Sequence, residues 1–307
     1  MSLKTRVIAL LLILSACTSK KTVDQESEKS SYLIEASELI LAAKRPAIKI
    51  LDFRKKAEYQ KGHIVGAVHI WRTDIEDTTY AYKGMMARTA QIEELFSTLG
   101  IGTQDTIVVY DDNGLCDASR LWWVLQNYDF TAVKLLHGGY QAWKDLGGDI
   151  STEQPTITNG LFKLTDNPSM KYAVAKDEVR QALENSTILL DTRTEDEYSS
   201  KRQKNGAAKG GRIPASMHID WAEAIDYAGD KRLKSVEDLE SIYGRLNATK
   251  EDPILVYCHS GVRSAHTSFV LTQLLGYKNV KNYDGSWVEW SHFDSLPFEQ
   301  DSITTLK

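Results

Sequence analysis

The stretch Ile254-Leu255-Val256-Tyr257-Cys258-His259-Ser260-Gly261-Val262-Arg263-Ser264 decides the fold. Its first four residues are apolar and read as a buried strand, which delivers Cys258 into a short loop. Gly261 permits a tight turn, and Ser264 is placed to cap an amphipathic helix over residues 265–275 that Gly276 closes. A thiol at such a junction faces backbone N–H groups and the positive end of a helix dipole, which together favour the thiolate. A buried structural cysteine would need neither the glycine nor the flanking Arg263. Cys258 therefore reads as a nucleophile.

Working outward, the chain repeats itself. Ile50-Leu51-Asp52-Phe53-Arg54 recurs as Leu189-Leu190-Asp191-Thr192-Arg193, and Gly62-His63-Ile64-Val65-Gly66-Ala67 is echoed by Gly211-Arg212-Ile213-Pro214-Ala215-Ser216. Ile107-Val108-Val109-Tyr110-Asp111 answers Ile254-Leu255-Val256-Tyr257-Cys258, and the segment from His137 to Trp143 answers that from Asp284 to Trp290. These last two pairs share one offset of 147 residues (Asp111 to Cys258, Trp143 to Trp290). Each copy alternates short apolar strands (48–53, 107–110, 133–136; 188–191, 254–257, 280–283) with helical stretches such as 89–99 and 235–246. That alternation predicts an α/β fold of two modules, each a parallel sheet with helices on both faces and its site at the carboxyl ends of the strands. Polar residues 151–171, with Pro155, Asn159-Gly160 and Asn167-Pro168, read as the linker, and 199–211 as a surface insertion of the second copy.

Composition bounds what else the chain does. It has 307 residues, 42% hydrophobic and 26% charged, enough for two domains, and a net charge of −5 that gives nucleic acid no positive field to bind. Residues 1–17 carry Lys4 and Arg6, an apolar run over 7–14 too short to span a bilayer, and Leu14-Ser15-Ala16-Cys17, which resembles the processing box of bacterial lipoproteins. The expectation is a signal peptide ending at a lipidated Cys17, a disordered tether over 18–31, and a body exported to the bacterial cell envelope and held to a membrane by that lipid only. Three cysteines, one of them lipidated, leave no disulfide framework, and the seven histidines show no ligand spacing, so neither a metal nor a cofactor is expected.

Taken together, the Cys258 loop, the Gly-Arg-Ile-Pro segment, the Asp284-Gly285-Ser286-Trp287-Val288-Glu289-Trp290 segment and the duplication resemble a two-domain (tandem) rhodanese sulfurtransferase over roughly residues 32–299. The resemblance implies a silent module over 32–150, an active module over 172–299, a tail over 300–307 and a monomer. It implies sulfur transfer through a Cys258 persulfide, from thiosulfate to cyanide or a thiol, with the loop N–H groups of His259, Ser260, Gly261, Val262, Arg263 and Ser264 around the sulfur anion. Asp111 stands where the silent module would need its nucleophile. Arg263 is placed either to attract an anionic donor or to pin the loop, and His259 to add partial positive charge or to face solvent with no role. Some relatives contact the donor with an arginine at the position held here by Glu197.

Asp52, Arg54, Asp191 and Arg193 read as strand-end clamps, and Trp122, Trp123, Trp143, Trp287 and Trp290 as core, with Trp287 the one placed to reach the cleft wall. Asp284 and Glu289 are expected to fix loop geometry. Cys116 and Asp117, in the silent counterpart of the active loop, are candidate wall residues, Cys116 being a possible disulfide partner of Cys258. Competing readings are a 3-mercaptopyruvate sulfurtransferase, a non-catalytic surface lipoprotein that carries sulfur or docks a partner, and a cysteine phosphatase. The last is disfavoured because Cys258 to Arg263 counts six residues where such phosphatases have seven.

Overall fold

The computed structural model describes residues 31–301. The signal peptide, Cys17, almost all of the tether and most of the tail lie outside the described residues. In the first module five parallel strands lie in the order Leu33–Ile34, Val133–Leu136, Thr106–Tyr110, Ile48–Asp52, Val68–His69. The second repeats the order: Ala173–Val174, Val280–Tyr283, Ile254–Tyr257, Ile188–Asp191, Met217–His218, again all parallel. The six strands legible from the repeat form the three central positions of each sheet, where both faces are covered and the sequence is mostly apolar, interrupted by Lys49, Lys134, Lys281 and Asn282. The outer strands are two residues long, too short for any periodicity, and are found only through their pairing.

One hydrophobic core runs through both modules. The helices Cys116–Asn127 and Val262–Phe269 pack against each other across the boundary, and Trp122 meets Phe269 edge-on with ring centroids 5.0 Å apart. Every residue of Cys116–Asn127 is buried, its polar members Asp117, Ser119, Arg120, Gln126 and Asn127 included. Trp122, Trp123, Trp287 and Trp290 are among the largest fully buried side chains. The clamps are as read: Arg54 chelates Asp52 and donates to the Gly62 carbonyl, while Arg193 chelates Asp191 and donates to that of Gly211.

Three expectations need correction. The helix after the active loop begins at Val262, with Gly261 as its left-handed N-cap (φ 75°), so Ser264 lies inside the first turn and does not cap it. The linker is strapped to the first module: Phe162 is fully buried against Phe96 and Phe130, and the Leu161 carbonyl accepts from the Thr103 amide. Residues 199–211 are an exposed insertion as expected, but their turn at 203–207 folds back onto the active loop.

Candidate active site

Cys258 leaves the strand Ile254–Tyr257 with its side chain 1% exposed. Ser286 closes the loop from below: its hydroxyl accepts from the amides of Cys258 (3.1 Å) and Gly261 (3.0 Å) and donates to the Tyr283 carbonyl. The Trp287 amide donates to the Cys258 carbonyl and the Val288 amide to that of His259, so the segment after Val280–Tyr283 locks the loop along its length. Gly261 takes its positive φ where a Cβ would come within 2.7 Å of the Asp284 carbonyl oxygen and 2.9 Å of the Arg120 guanidinium. No side chain fits there.

Burial alone pushes the Cys258 thiol pKa up, yet the net direction is down. The Arg263 charge, the Ser264 hydroxyl and the amides of Ser264 and Ser260 outweigh the desolvation. The Ser264 Oγ is buried with no hydrogen-bond partner among the described residues, so its proton is uncommitted beside the sulfur whose charge it favours. Arg263 is itself pinned: it donates twice to Glu197, Nη1 to Oε2 at 2.6 Å and Nη2 to Oε1 at 2.9 Å. Burial opposes the charge on both partners, but the pair holds Glu197 well below the usual carboxylate range and Arg263 above its own. Of the two roles open to Arg263 the geometry shows the pin, while its charge still acts on the sulfur.

The silent module shows what this loop does with an anion. Asp111 is buried where Cys258 would be, and its carboxylate accepts from four amides, those of Asn113, Leu115, Asp117 and Ala118, at 2.9–3.0 Å. At the offset of 147 these correspond to Ser260, Val262, Ser264 and Ala265. The same offset sets Cys116 opposite Arg263 and Asp117 opposite Ser264, so the silent loop has lost its cation as well as its nucleophile. Burial and the Asp117 charge raise the Asp111 pKa to about 6 despite the four amides.

Both modules build the surroundings. Cys116 is buried with Val262, Trp221 and Ile225, and its thiol pKa is pushed well up by burial and by Asp117. Cys116 and Cys258 are both free thiols. Asp117 is ion-paired to Arg72, and that carboxylate is the chief influence that holds the Arg72 guanidinium charged against its burial. From the insertion, the Asn205 carbonyl contacts His259 Nε2 at 3.1 Å, and Lys204 interacts electrostatically with Arg263, Glu197, Cys258 and Arg72.

His259 is 7% exposed, and burial and Lys204 lower its pKa to about 4. It supplies a neutral ring, neither a cation nor a solvent-facing residue. Trp287 does not reach the cleft: it is 2% exposed, its Nε1 donates to the Lys209 carbonyl and its ring lies against Arg193. Asp284 and Glu289 fix geometry across the modules, Asp284 by pairing with Arg120 and accepting from the Met86 amide, Glu289 by accepting from the Tyr82 hydroxyl. The residues missed in the sequence are Ser286, Arg72, Arg120 and Lys204. Only Ser286 carried a signal, since the repeat puts Gly139 opposite it. No group of metal ligands occurs among the described residues.

Two parallel-sheet modules of identical strand order, one with a cradled thiol of lowered pKa and one with a carboxylate in the same cradle, define a tandem sulfur-handling protein. The chain belongs to the rhodanese family, whose rhodanese-like domain matches residues 35–146 and 175–293. It is 32% identical over 290 residues to a thiosulfate sulfurtransferase of Corynebacterium glutamicum, covering 91% of this chain and 94% of that one. It is also 32% identical over 263 residues to the sulfur carrier protein TtuD of Thermus thermophilus, covering 82% and 90%. The anaerobic ergothioneine biosynthesis enzyme of Chlorobium limicola, solved with trimethyl histidine, shares the fold with a TM-score of 0.76 at 22% identity, over 88% of this chain and 70% of that chain.

Proposed function

We propose that this sulfurtransferase moves sulfane sulfur from thiosulfate to cyanide or a thiol through a Cys258 persulfide. The observation that carries the reading is a lowered-pKa thiol in a nest of amides whose silent twin already holds an anion. The Cys258 thiolate attacks the outer sulfur of the donor, the sulfur–sulfur bond breaks, and sulfite leaves with the electron pair. An acceptor nucleophile then takes the outer sulfur and restores the thiolate. Thiosulfate is favoured over 3-mercaptopyruvate by the Corynebacterium glutamicum relative and by Lys204, a cation electrostatically coupled to Cys258 that suits a dianion. Both walls of the cleft come from one chain, which suits a monomer.

Cys258→Ser is expected to abolish thiosulfate-to-cyanide transfer, and intact wild-type protein exposed to thiosulfate is expected to gain one sulfur atom on Cys258. An unchanged mass rejects the mechanism. Faster turnover of 3-mercaptopyruvate than of thiosulfate reassigns the donor. A second reading, a carrier that yields its sulfur to a protein, is favoured by the likeness to TtuD. It predicts a loaded persulfide that survives cyanide but is discharged by a protein thiol.

We further propose that Cys17 is lipidated and that the body acts at the bacterial envelope, on the strength of Leu14-Ser15-Ala16-Cys17. Incorporation of labelled palmitate that Cys17→Ala abolishes is the expected result, and equal labelling of both proteins rejects it.

A further inference from the structure

The first described residues enter the body at one pole of the silent module. Leu33 pairs with Leu135 and Val133 with Ile107, so Ser31 lies level with the start of the central strands, and its carbonyl accepts from Lys134 Nζ at 2.7 Å. At the same amino-terminal pole the helices Ala36–Ala42 and Gly139–Asp145 end and the strand Ile48–Asp52 begins. Between them lies an apolar cleft of about 610 Å³ lined by Ile40, Ala43, Val65, Trp143 and Leu146, with Lys44 and Asp149 also at its walls. A second depression of about 250 Å³ continues it past Ala43, Lys44 and Val65 to Arg45 and Ile48.

Around this cleft stand three large apolar side chains that are half exposed: Val65 at 51%, Leu146 at 56% and Ile150 at 53%. They are held in place. The Val65 amide and Trp143 Nε1 both donate to the Asp149 carbonyl, and Ile64 pairs with Ile150 in a short antiparallel ladder. Lys44 and Arg45 form no ion pair with any described residue, which leaves two cations against the single Asp149 carboxylate. The opposite pole of this module, with Asp111 and Cys116, abuts the active loop. The apolar cleft therefore faces away from the catalytic cleft.

We infer that this cleft is a membrane-docking face: Val65, Leu146 and Ile150 seat at the headgroup–acyl boundary of the bilayer, with Lys44 and Arg45 among the lipid phosphates. The inference rests on the reading that Cys17 is lipidated. Residues 18–30 reach at most roughly 45 Å when fully extended, so the pole at which the tether joins the body never leaves the neighbourhood of the lipid. At that effective concentration a small apolar patch is enough to dock. A second copy of the chain is a poorer occupant, because three half-exposed side chains fall well short of the about 800 Å² per partner that a stable interface buries. Docked in this way, the body presents the Cys258 cleft to the aqueous side, where anionic donors and soluble acceptors arrive.

The test uses the full-length, lipid-bearing chain reconstituted into phosphatidylethanolamine–phosphatidylglycerol vesicles that carry a diazirine on a fraction of their acyl chains. After irradiation, lipid adducts are expected on the peptides containing Val65 and Leu146 to Ile150 as well as on the N-terminal peptide, and not on the Cys258 loop. Leu146→Asp with Ile150→Asp is expected to lose the adducts of the body while keeping those of the N-terminus and the thiosulfate-to-cyanide turnover. Adducts confined to the N-terminal peptide overturn the docking face, as do body adducts that survive the double substitution. Adducts nowhere overturn the lipid anchor itself, and docking with it. A dimer in solution that the double variant dissociates reassigns the cleft to a second copy.

Discussion

Arg120 of the silent module and Asp284 of the active module form an ion pair of 2.6 Å in which the guanidinium is 2% exposed. The same guanidinium donates to the Gly84 carbonyl at 2.8 Å and reaches the Gly261 carbonyl at 3.5 Å, so one side chain ties the loop at Gly84, the turn at Gly261 and the end of the strand Val280–Tyr283 together. Gly84 in turn lies so close that a Cβ there would stand 2.6 Å from the Ser260 Cβ. A module without a nucleophile thus shapes the loop that has one.

Removing one partner of such a buried pair typically costs about 3–5 kcal/mol, because the other charge is left uncompensated. Arg120→Met is expected to lower the unfolding midpoint and to raise the pH at which Cys258 is alkylated, since the Gly261 turn loses its brace. Asp284→Asn, which leaves a neutral acceptor, is expected to do less of both. Alkylation rates against pH separate loop disorder from simple destabilisation. A destabilised Arg120→Met protein with an unchanged Cys258 profile would confine Arg120 to a packing role.

Arg263 and Glu197 give a second expectation. An opposite charge within reach of a thiolate typically shifts its pKa by about 1–3 units, and Arg263 is the leading influence that lowers Cys258 against its burial. Arg263→Met is expected to raise the Cys258 pKa, read from thiolate ultraviolet absorbance during titration, and to cut kcat/KM for thiosulfate at neutral pH. Glu197→Gln leaves the arginine without its counter-charge. It is expected to lower the Cys258 pKa further and to destabilise the fold by a few kcal/mol. The two substitutions should therefore move the thiol in opposite directions while both weaken the protein.

The six central strands and the reactive cysteine were legible because burial on both faces leaves short, mostly apolar runs in the sequence, and because the repeat aligned these runs in pairs and set Cys258 opposite Asp111. The helix start was misplaced by three residues, since a serine in the sequence signals a cap while Gly261, left-handed and without a capping side chain, takes that place. Trp287 was read toward the cleft because aromatic character says nothing about which way a ring turns, and here Arg193 and the Lys209 carbonyl claim it. His259 read in the sequence as either a partial positive charge or a solvent-facing residue without a role, and it is neither once burial under the turn of Asn205 and Lys204 holds the ring neutral. Arg72, Arg120 and Lys204 carry no local pattern at all. Their roles arise from contacts between segments far apart in the chain, which no window of sequence contains.

The silent loop offers a test of sufficiency. Asp111→Cys in a Cys258→Ser background would place a thiol among the amides of Asn113, Leu115, Asp117 and Ala118. At the position of Arg263, however, that loop has Cys116, and at that of Ser264 it has the Asp117 carboxylate. The amides favour the thiolate and the carboxylate opposes it, with no arginine in the loop to offset burial. The new thiol is expected to stay protonated at neutral pH and to take no sulfur from thiosulfate by mass spectrometry. A persulfide at position 111 would show that the nest of amides suffices without the cation.

Two buried histidines set the acid side of the stability profile. Burial lowers His266 to about 4 from 6.5, against a contact of its Nε2 with the Gly114 carbonyl at 3.1 Å, and burial with Lys204 does the same for His259. Below pH 6.5 the unfolded chain takes up protons on both rings while the folded chain does not until about pH 4. The unfolded state therefore binds more protons across that window, and stability, full above pH 6.5, falls as the pH drops. Glu197 acts lower down, because its folded pKa is depressed from 4.5 and its contribution is lost only as the pH falls below that value. Asp111, raised to about 6, takes up a proton in the folded state below that pH and offsets one of the two, so urea midpoints between pH 7 and pH 4.5 are expected to decline with a net slope approaching one proton. His266→Gln, which keeps a donor toward Gly114 but cannot titrate, is expected to reduce that slope by about one proton. A slope that His266→Gln leaves unchanged would mean that the imidazole is already charged inside the folded interface, against its burial between the two modules.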